Sequence, residues 1–154
     1  MVHGDEHSEI TVGLGSPRPD QPDSRGRHWT VRAVGDLARV PDEVRDKVVP
    51  AMVPGCIHTD LMDAGLIKDP AKDLNEPAVQ WVSWTDWRYE TEFEVSDALL
   101  ACHSVELYFR ELDTIATIEL NGVEVGHAAN EFIPHTFDVK RHLVVGSNRL
   151  AVTF

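Results

Sequence analysis

A chain of 154 residues, 42% hydrophobic and 26% charged, has the size and balance of one globular domain with a single sizeable core. Fourteen Lys and Arg against twenty-six Asp and Glu give a formal charge of −12, which repels phosphate backbones and anionic headgroups and argues against nucleic acid and membrane surfaces as partners. Two cysteines far apart, Cys56 and Cys102, form neither a zinc pattern nor a disulfide framework, so a reducing, cytoplasmic setting is expected.

Residues 1–27 are rich in Gly, Ser, Pro and Asp and hold too little apolar surface to offset the entropy of ordering, which predicts a disordered tail. The N-terminus shows no basic region followed by an apolar run, and no window reaches the apolar length of a membrane span. Folding is expected to begin at Trp29, Val31 and Ala33, which alternate as in a strand. Pro41 followed by Asp42 and Glu43 predicts a short exposed helix near 42–47. A second short helix is expected near 58–64, begun by His58 or Thr59 and ended by Gly65. Residues 66–85 show no period and contain Pro70 and Pro77, so they read as a long structured loop, often a functional element.

The pattern then changes. Trp87, Tyr89, Thr91, Phe93 and Val95 alternate with Arg88, Glu90, Glu92 and Glu94, as a strand with one wet face requires, and the glutamates read as solvated positions. Val105–Leu107–Phe109 and Ala116–Ile118–Leu120 repeat the alternation, and Asn121-Gly122 supplies the positive φ angles of a tight hairpin into Val123–Val125. Further strands are expected around Phe137 and from Leu150 to Phe154, the last as an exposed edge. About seven strands with few helices predict an all-β antiparallel sandwich or jelly roll over 28–154, truncated at its C-terminal edge.

Chemistry is hard to find. No Gly-x-Ser-x-Gly elbow occurs, and Gly13 and Gly15 lack the strand and helix that would give them a phosphate to hold. His58 and Asp60 stand two apart on a short helix, where side chains do not face each other, so capping or solvation is their expected role. No histidine pair has metal-ligand spacing, and neither a metal nor a cofactor is expected. These residues alone support a binding or scaffolding domain and no catalytic residue.

An ordered set of motifs adds more. Val53-Pro54-Gly55-Cys56-Ile57-His58-Thr59-Asp60-Leu61, Gly65-Leu66-Ile67-x-Asp69-Pro70, Asn75-Glu76, Gln80-Trp81-Val82 and Asp86-Trp87-x-Tyr89 appear in turn. Leu112-Asp113-Thr114-Ile115-Ala116-Thr117-Ile118-x-Leu120-Asn121-Gly122, Asn130-x-Phe132-x-Pro134 and Phe137-Asp138-Val139 follow. Together they resemble the N-terminal domain of β-mannosidases of glycoside hydrolase family 2. The resemblance departs at Arg110-Glu111, where a Glu-Gly pair is usual, and at Ile133, where Arg is usual.

The resemblance implies a jelly-roll domain of the galactose-binding-like kind, followed by immunoglobulin-like sandwiches and a TIM barrel outside this chain, where two glutamates carry out retaining hydrolysis of terminal β-mannosides. It implies β-mannosides as substrates, packing on those downstream domains, and no catalytic activity in this piece alone. Asn75, Glu76 and Trp81 are the candidate sugar-binding residues, since sugars offer apolar C–H faces to aromatics and hydroxyls to amides and carboxylates. Against this stand a turn-forming role for Asn75 and a packing role for Trp81. A free-standing carbohydrate-binding module, a protein-interaction domain using the open last strand, and a β-galactosidase or β-glucuronidase relative remain as alternatives.

Overall fold

The computed structural model describes residues 7–12, 28–72, 75–110, 112, 115–129 and 133–154. Among them are the strands β1 (His7–Val12), β2 (Trp29–Val34), β3 (Val49–Ala51), β4 (Asp86–Val95), β5 (Ser104–Phe109), β6 (Ala116–Leu120), β7 (Val123–Ala128), β8 (His135–Asp138) and β9 (Gly146–Thr153). Short helices α1 (Asp42–Arg45), α2 (Ile57–Asp63), α3 (Glu76–Val79) and α4 (Asp97–Ala101) lie between them, with 3-10 turns at Gln80–Trp84 and Lys140–His142. A six-stranded sheet runs β3-β2-β4-β9-β6-β7, and a three-stranded sheet runs β1-β5-β8.

The period-two alternation becomes a core shared by both sheets. Trp29, Val31 and Ala33 of β2, Trp87 and Tyr89 of β4, and Ile118 and Leu120 of β6 are buried from the large sheet. Val105, Leu107 and Phe109 of β5 are buried from the small one, with Phe109 edge-on to Phe137 of β8 at 6.1 Å. Each such Val, Leu, Ile or Phe side chain contributes about 1.5–3 kcal/mol through removal from water.

Turn chemistry acts where the sequence placed it. Asn121 and Gly122 take φ of 52° and 80° and join Leu120 to its partner Val123. At the end of α2, Gly65 (φ 71°) closes a Schellman motif: Gly65 N–H donates to Met62 O at 2.9 Å and Leu66 N–H to Leu61 O at 2.9 Å.

Several expectations are corrected. His7–Val12, inside the span read as tail, forms β1 in parallel register with β5, with Ile10 buried; the rest of that span lies outside the described residues. The pairing depends on a partner about 97 residues away, His7 opposite Ser104, which local composition does not reveal. β9 is no edge, because it lies between β4 and β6. β3, which the alternation does not predict, carries Pro50 and lies at the sheet edge, where a missing N–H is tolerated. Helix α1 is not wholly exposed, since Val44 is buried; α2 begins after Cys56; and the loop 66–85 contains α3 and a 3-10 turn.

Candidate functional site

A cleft of about 530 Å³ opens where the loop before α2, the Gln80–Trp84 turn and the start of β4 meet. Its walls come from remote parts of the chain, and hydrogen bonds fix each part. Asp60, on the buried side of α2, accepts Met52 N–H at 3.0 Å and so ties the loop carrying Met52 and Cys56 to the helix that carries His58. Gly55 is needed there, because a Cβ on it would lie 2.1 Å from Met52 O. The Val53–Pro54 peptide is cis.

The opposite wall hangs on Trp87. Its indole N–H donates to Val82 O at 2.9 Å, and Thr85 Oγ1–H donates to Trp81 O at 2.8 Å, which brings Ser83 and Thr85 to the cleft. Trp87 and Phe154 exchange two backbone hydrogen bonds of 3.0 Å, and the Phe154 ring stands edge-on to Tyr89 at 5.9 Å. Thus Trp87, Tyr89 and Phe154 form an aromatic wall with hydroxyls nearby.

Electrostatics inside this end are one-sided. No described residue lining the cleft is Asp, Glu, Lys or Arg, in a chain with a formal charge of −12. Behind the wall, burial raises the Asp60 carboxyl above its usual range, and the neighbouring Asp63 adds to this against the opposing Met52 N–H. Asp60 Oδ2 has no hydrogen-bond partner. Burial also raises the Tyr89 phenol, helped by the charges of Asp60 and Cys56, so the cleft presents a neutral hydroxyl. Cys56 Sγ lies 3.9 Å from His58 Nδ1.

The residues expected to bind sugar lie at the start of α3 and in the turn after it. Asn75 precedes α3, and its Nδ2 donates to Asp69 O at 3.1 Å, a turn-holding bond. Glu76 is exposed in the first turn of α3. Trp81 is half-buried with its ring 6.1 Å from that of Trp87. None of the three lines the cleft, although Trp81 touches its wall through Trp87. Trp84 is 61% exposed with the Arg39 guanidinium 4.9 Å from its ring centroid. Among the described residues no group of three or more His, Cys, Asp or Glu could hold a metal ion.

Two acidic residues behave unlike their sequence reading. Asp60, expected to cap or be solvated, is buried. Glu90, read as solvated, is 9% exposed because Arg88 (3.0 Å), Arg149 (3.2 Å) and Arg32 (3.6 Å) surround it, while Arg88 also pairs with Glu119. The alternation marks its sheet face correctly but carries no information on which side chains lie across neighbouring strands.

With this geometry in place, comparison with known proteins gives the family. Residues 29–154 match the glycosyl hydrolase 2 galactose-binding domain-like family. The chain belongs to that family. It is 34% identical over 106 residues to β-mannosidase of Capra hircus, covering 69% of this chain and 12% of that protein. It is 37% identical over 117 residues to β-mannosidase B of Thermothelomyces thermophilus, covering 75% and 14%. The crystal structure of β-D-mannosidase from Dictyoglomus thermophilum superposes with a TM-score of 0.73 at 42% identity, covering 82% of this chain and 14% of that one. An exo-chitosanase from Amycolatopsis orientalis shares the fold alone, with a TM-score of 0.64 at 18% identity over 81% of this chain and 15% of that one. The chain therefore spans 12 to 14% of the length of the two β-mannosidase sequences.

Proposed function

We propose that this chain is the N-terminal, non-catalytic domain of an exo-acting β-mannosidase that removes terminal non-reducing β-D-mannose. The retaining chemistry, with one glutamate as acid/base and another as nucleophile, belongs to a part of the polypeptide outside these residues. The carrying observation is the contrast in identity at a shared fold: 42% to a β-D-mannosidase structure against 18% to the exo-chitosanase. Fold alone does not separate activities within such a family, whereas agreement in sequence at that level supports the mannosidase reading. Asn75, Glu76 and Trp81 are the part of this domain that faces sugar or the catalytic domain in this reading, supported by their grouping on α3 and the turn after it. Cytoplasmic residence belongs to the same reading, supported by the sequence spacing of Cys56 and Cys102, which fits neither a disulfide framework nor a zinc pattern.

The test is hydrolysis of an aryl β-mannoside by the longer polypeptide, with none by the 154-residue chain. Preference for an aryl β-galactoside or β-glucuronide would overturn it. Glu76→Gln in the longer polypeptide is expected to raise KM about threefold or more without moving Tm, since Glu76 is exposed. An unchanged KM would remove Glu76 from the site.

A further inference from the structure

One wall of the cleft brings together three soft donors from a single short stretch of chain: the Met52 thioether, the Cys56 thiol and the His58 imidazole. Cys56 is exposed at the N-cap of α2, His58 stands in the first turn, and Cys56 Sγ lies 3.9 Å from His58 Nδ1. Metal–sulfur and metal–nitrogen bonds of about 2.3 Å and about 2.0 Å span that gap with an angle of about 130° at the ion, near the ~120° of a trigonal centre. The fold of the loop brings in the third donor. Asp60 accepts Met52 N–H at 3.0 Å, and Gly55 packs so closely on Met52 that a Cβ built on it would lie 2.1 Å from Met52 O and 3.3 Å from Met52 Cβ. Met52 thus sits against the residue that precedes Cys56, and its unbranched side chain, 65% exposed, can turn its sulfur toward the thiol.

We propose that Met52, Cys56 and His58 form a binding site for one soft monovalent cation of the copper(I) class, held by thioether, thiolate and imidazole. The donors decide the class of ion. Thiolate and thioether favour Cu+, whereas Mg2+ and Ca2+ take oxygen ligands, and no described residue lining the cleft offers a carboxylate. Zn2+ suits the thiolate and the imidazole but not the thioether, and three donors fall short of the four of a structural zinc site. Because its third donor is Met52, the set is no group of three His, Cys, Asp or Glu residues, and the spacing rule for histidine pairs passes over it. On binding, the Cys56 thiol gives its proton to solvent and the ion keeps its oxidation state, so no electron acceptor is needed. The formal charge of −12 favours the approach of any cation. Asp60, which fixes Met52 against the start of α2, is a positioning residue for the site. The site is made by this chain's own residues and stands apart from the activity of a longer polypeptide.

The test is competition for Cu+ between bicinchoninate and the 154-residue chain, without oxygen, in a background of Cys102→Ser and His3→Ala that removes the other thiol and the imidazole nearest the amino terminus. We expect one ion per chain, with two sulfurs and one nitrogen around it by X-ray absorption. Hydrogen exchange in residues 52–58 should slow about tenfold or more when the ion is bound. Cys56→Ser should abolish binding, and Met52→Leu and His58→Ala should each weaken it about tenfold or more. Circular dichroism should not change in these variants, since Met52 and Cys56 are exposed and His58 is half-buried. Bicinchoninate keeping all the copper would overturn the proposal, as would binding that survives Cys56→Ser or that Met52→Leu or His58→Ala leaves unchanged. One ion shared by two chains, or Zn2+ held more tightly than Cu+, would overturn it equally. The X-ray absorption of the background chain needs no ligand variant to fold, and a bound ion without the two sulfurs and one nitrogen refutes the site by itself.

Discussion

The outer face of the large sheet and the cleft at its end differ in how their polar groups are satisfied. On the sheet face, Glu90 is enclosed by Arg88, Arg149 and Arg32, and Arg88 is shared with Glu119, so both carboxylates find cations within the domain. At the cleft, Met52, Trp84 and Ile115 are exposed and Asp60 Oδ2 lacks a partner. One region is complete by itself. The other leaves apolar side chains exposed and is held by a few bonds from Asp60, Thr85 and Trp87.

The largest expected effect breaks the cleft wall. Trp87→Ala removes a buried indole and its bond to Val82, and should cost about 3–5 kcal/mol in urea denaturation, with the 80–85 turn loosened. A loss under about 1 kcal/mol would show that the wall does not depend on Trp87.

Glu90→Gln strikes the other region and should cost about 1–3 kcal/mol at neutral pH, since three arginines lose their shared carboxylate. Its pH signature is as informative as its size. Burial alone would raise the Glu90 pKa, but the Arg88 hydrogen bond and the charges of Arg149, Arg88 and Arg32 outweigh it and hold the carboxyl below its usual value. The folded pKa is thus below the unfolded one, so this contribution is fully present above the unfolded value and is lost as pH falls through the folded one. Thermal denaturation from pH 7 downward should show a smaller acid loss in Glu90→Gln than in the parent; parallel curves would refute the network.

Asp60 has the opposite slope. Its folded pKa is raised, chiefly by burial, so its contribution is present below the unfolded value of 3.8 and is lost as pH rises through the folded one. Asp60→Asn keeps an acceptor for Met52 N–H and should be neutral or stabilising by about 1 kcal/mol at pH 7, where Asp60→Ala destabilises. Equal losses in both variants would mean that the charge itself is needed. The smallest effect is expected for Met52→Glu in the 154-residue chain, within about 0.5 kcal/mol, because the side chain is 65% exposed.

What the sequence disclosed follows the range of the interactions concerned. The alternation from Trp87 to Val95, the Asn121-Gly122 turn and the stop at Gly65 are local, and each appears in the structure. Partnerships between remote segments were hidden. Ile10 is buried because β1 finds β5, Glu90 is enclosed by arginines on three strands, and the cleft unites Met52, Trp87, Ile115 and Phe154. The motif order from Val53 to Val139 pointed to the family, while none of Asn75, Glu76 and Trp81 lines the recess that folding creates.

The contrast between a finished sheet and an open cleft is tested most directly by amide hydrogen exchange on the 154-residue chain, read by mass spectrometry. The account predicts the slowest exchange in β4, β6 and β9, and exchange faster by about a hundredfold or more in residues 52–58 and 80–85, where few bonds hold the backbone. Equal protection in the two regions would contradict it.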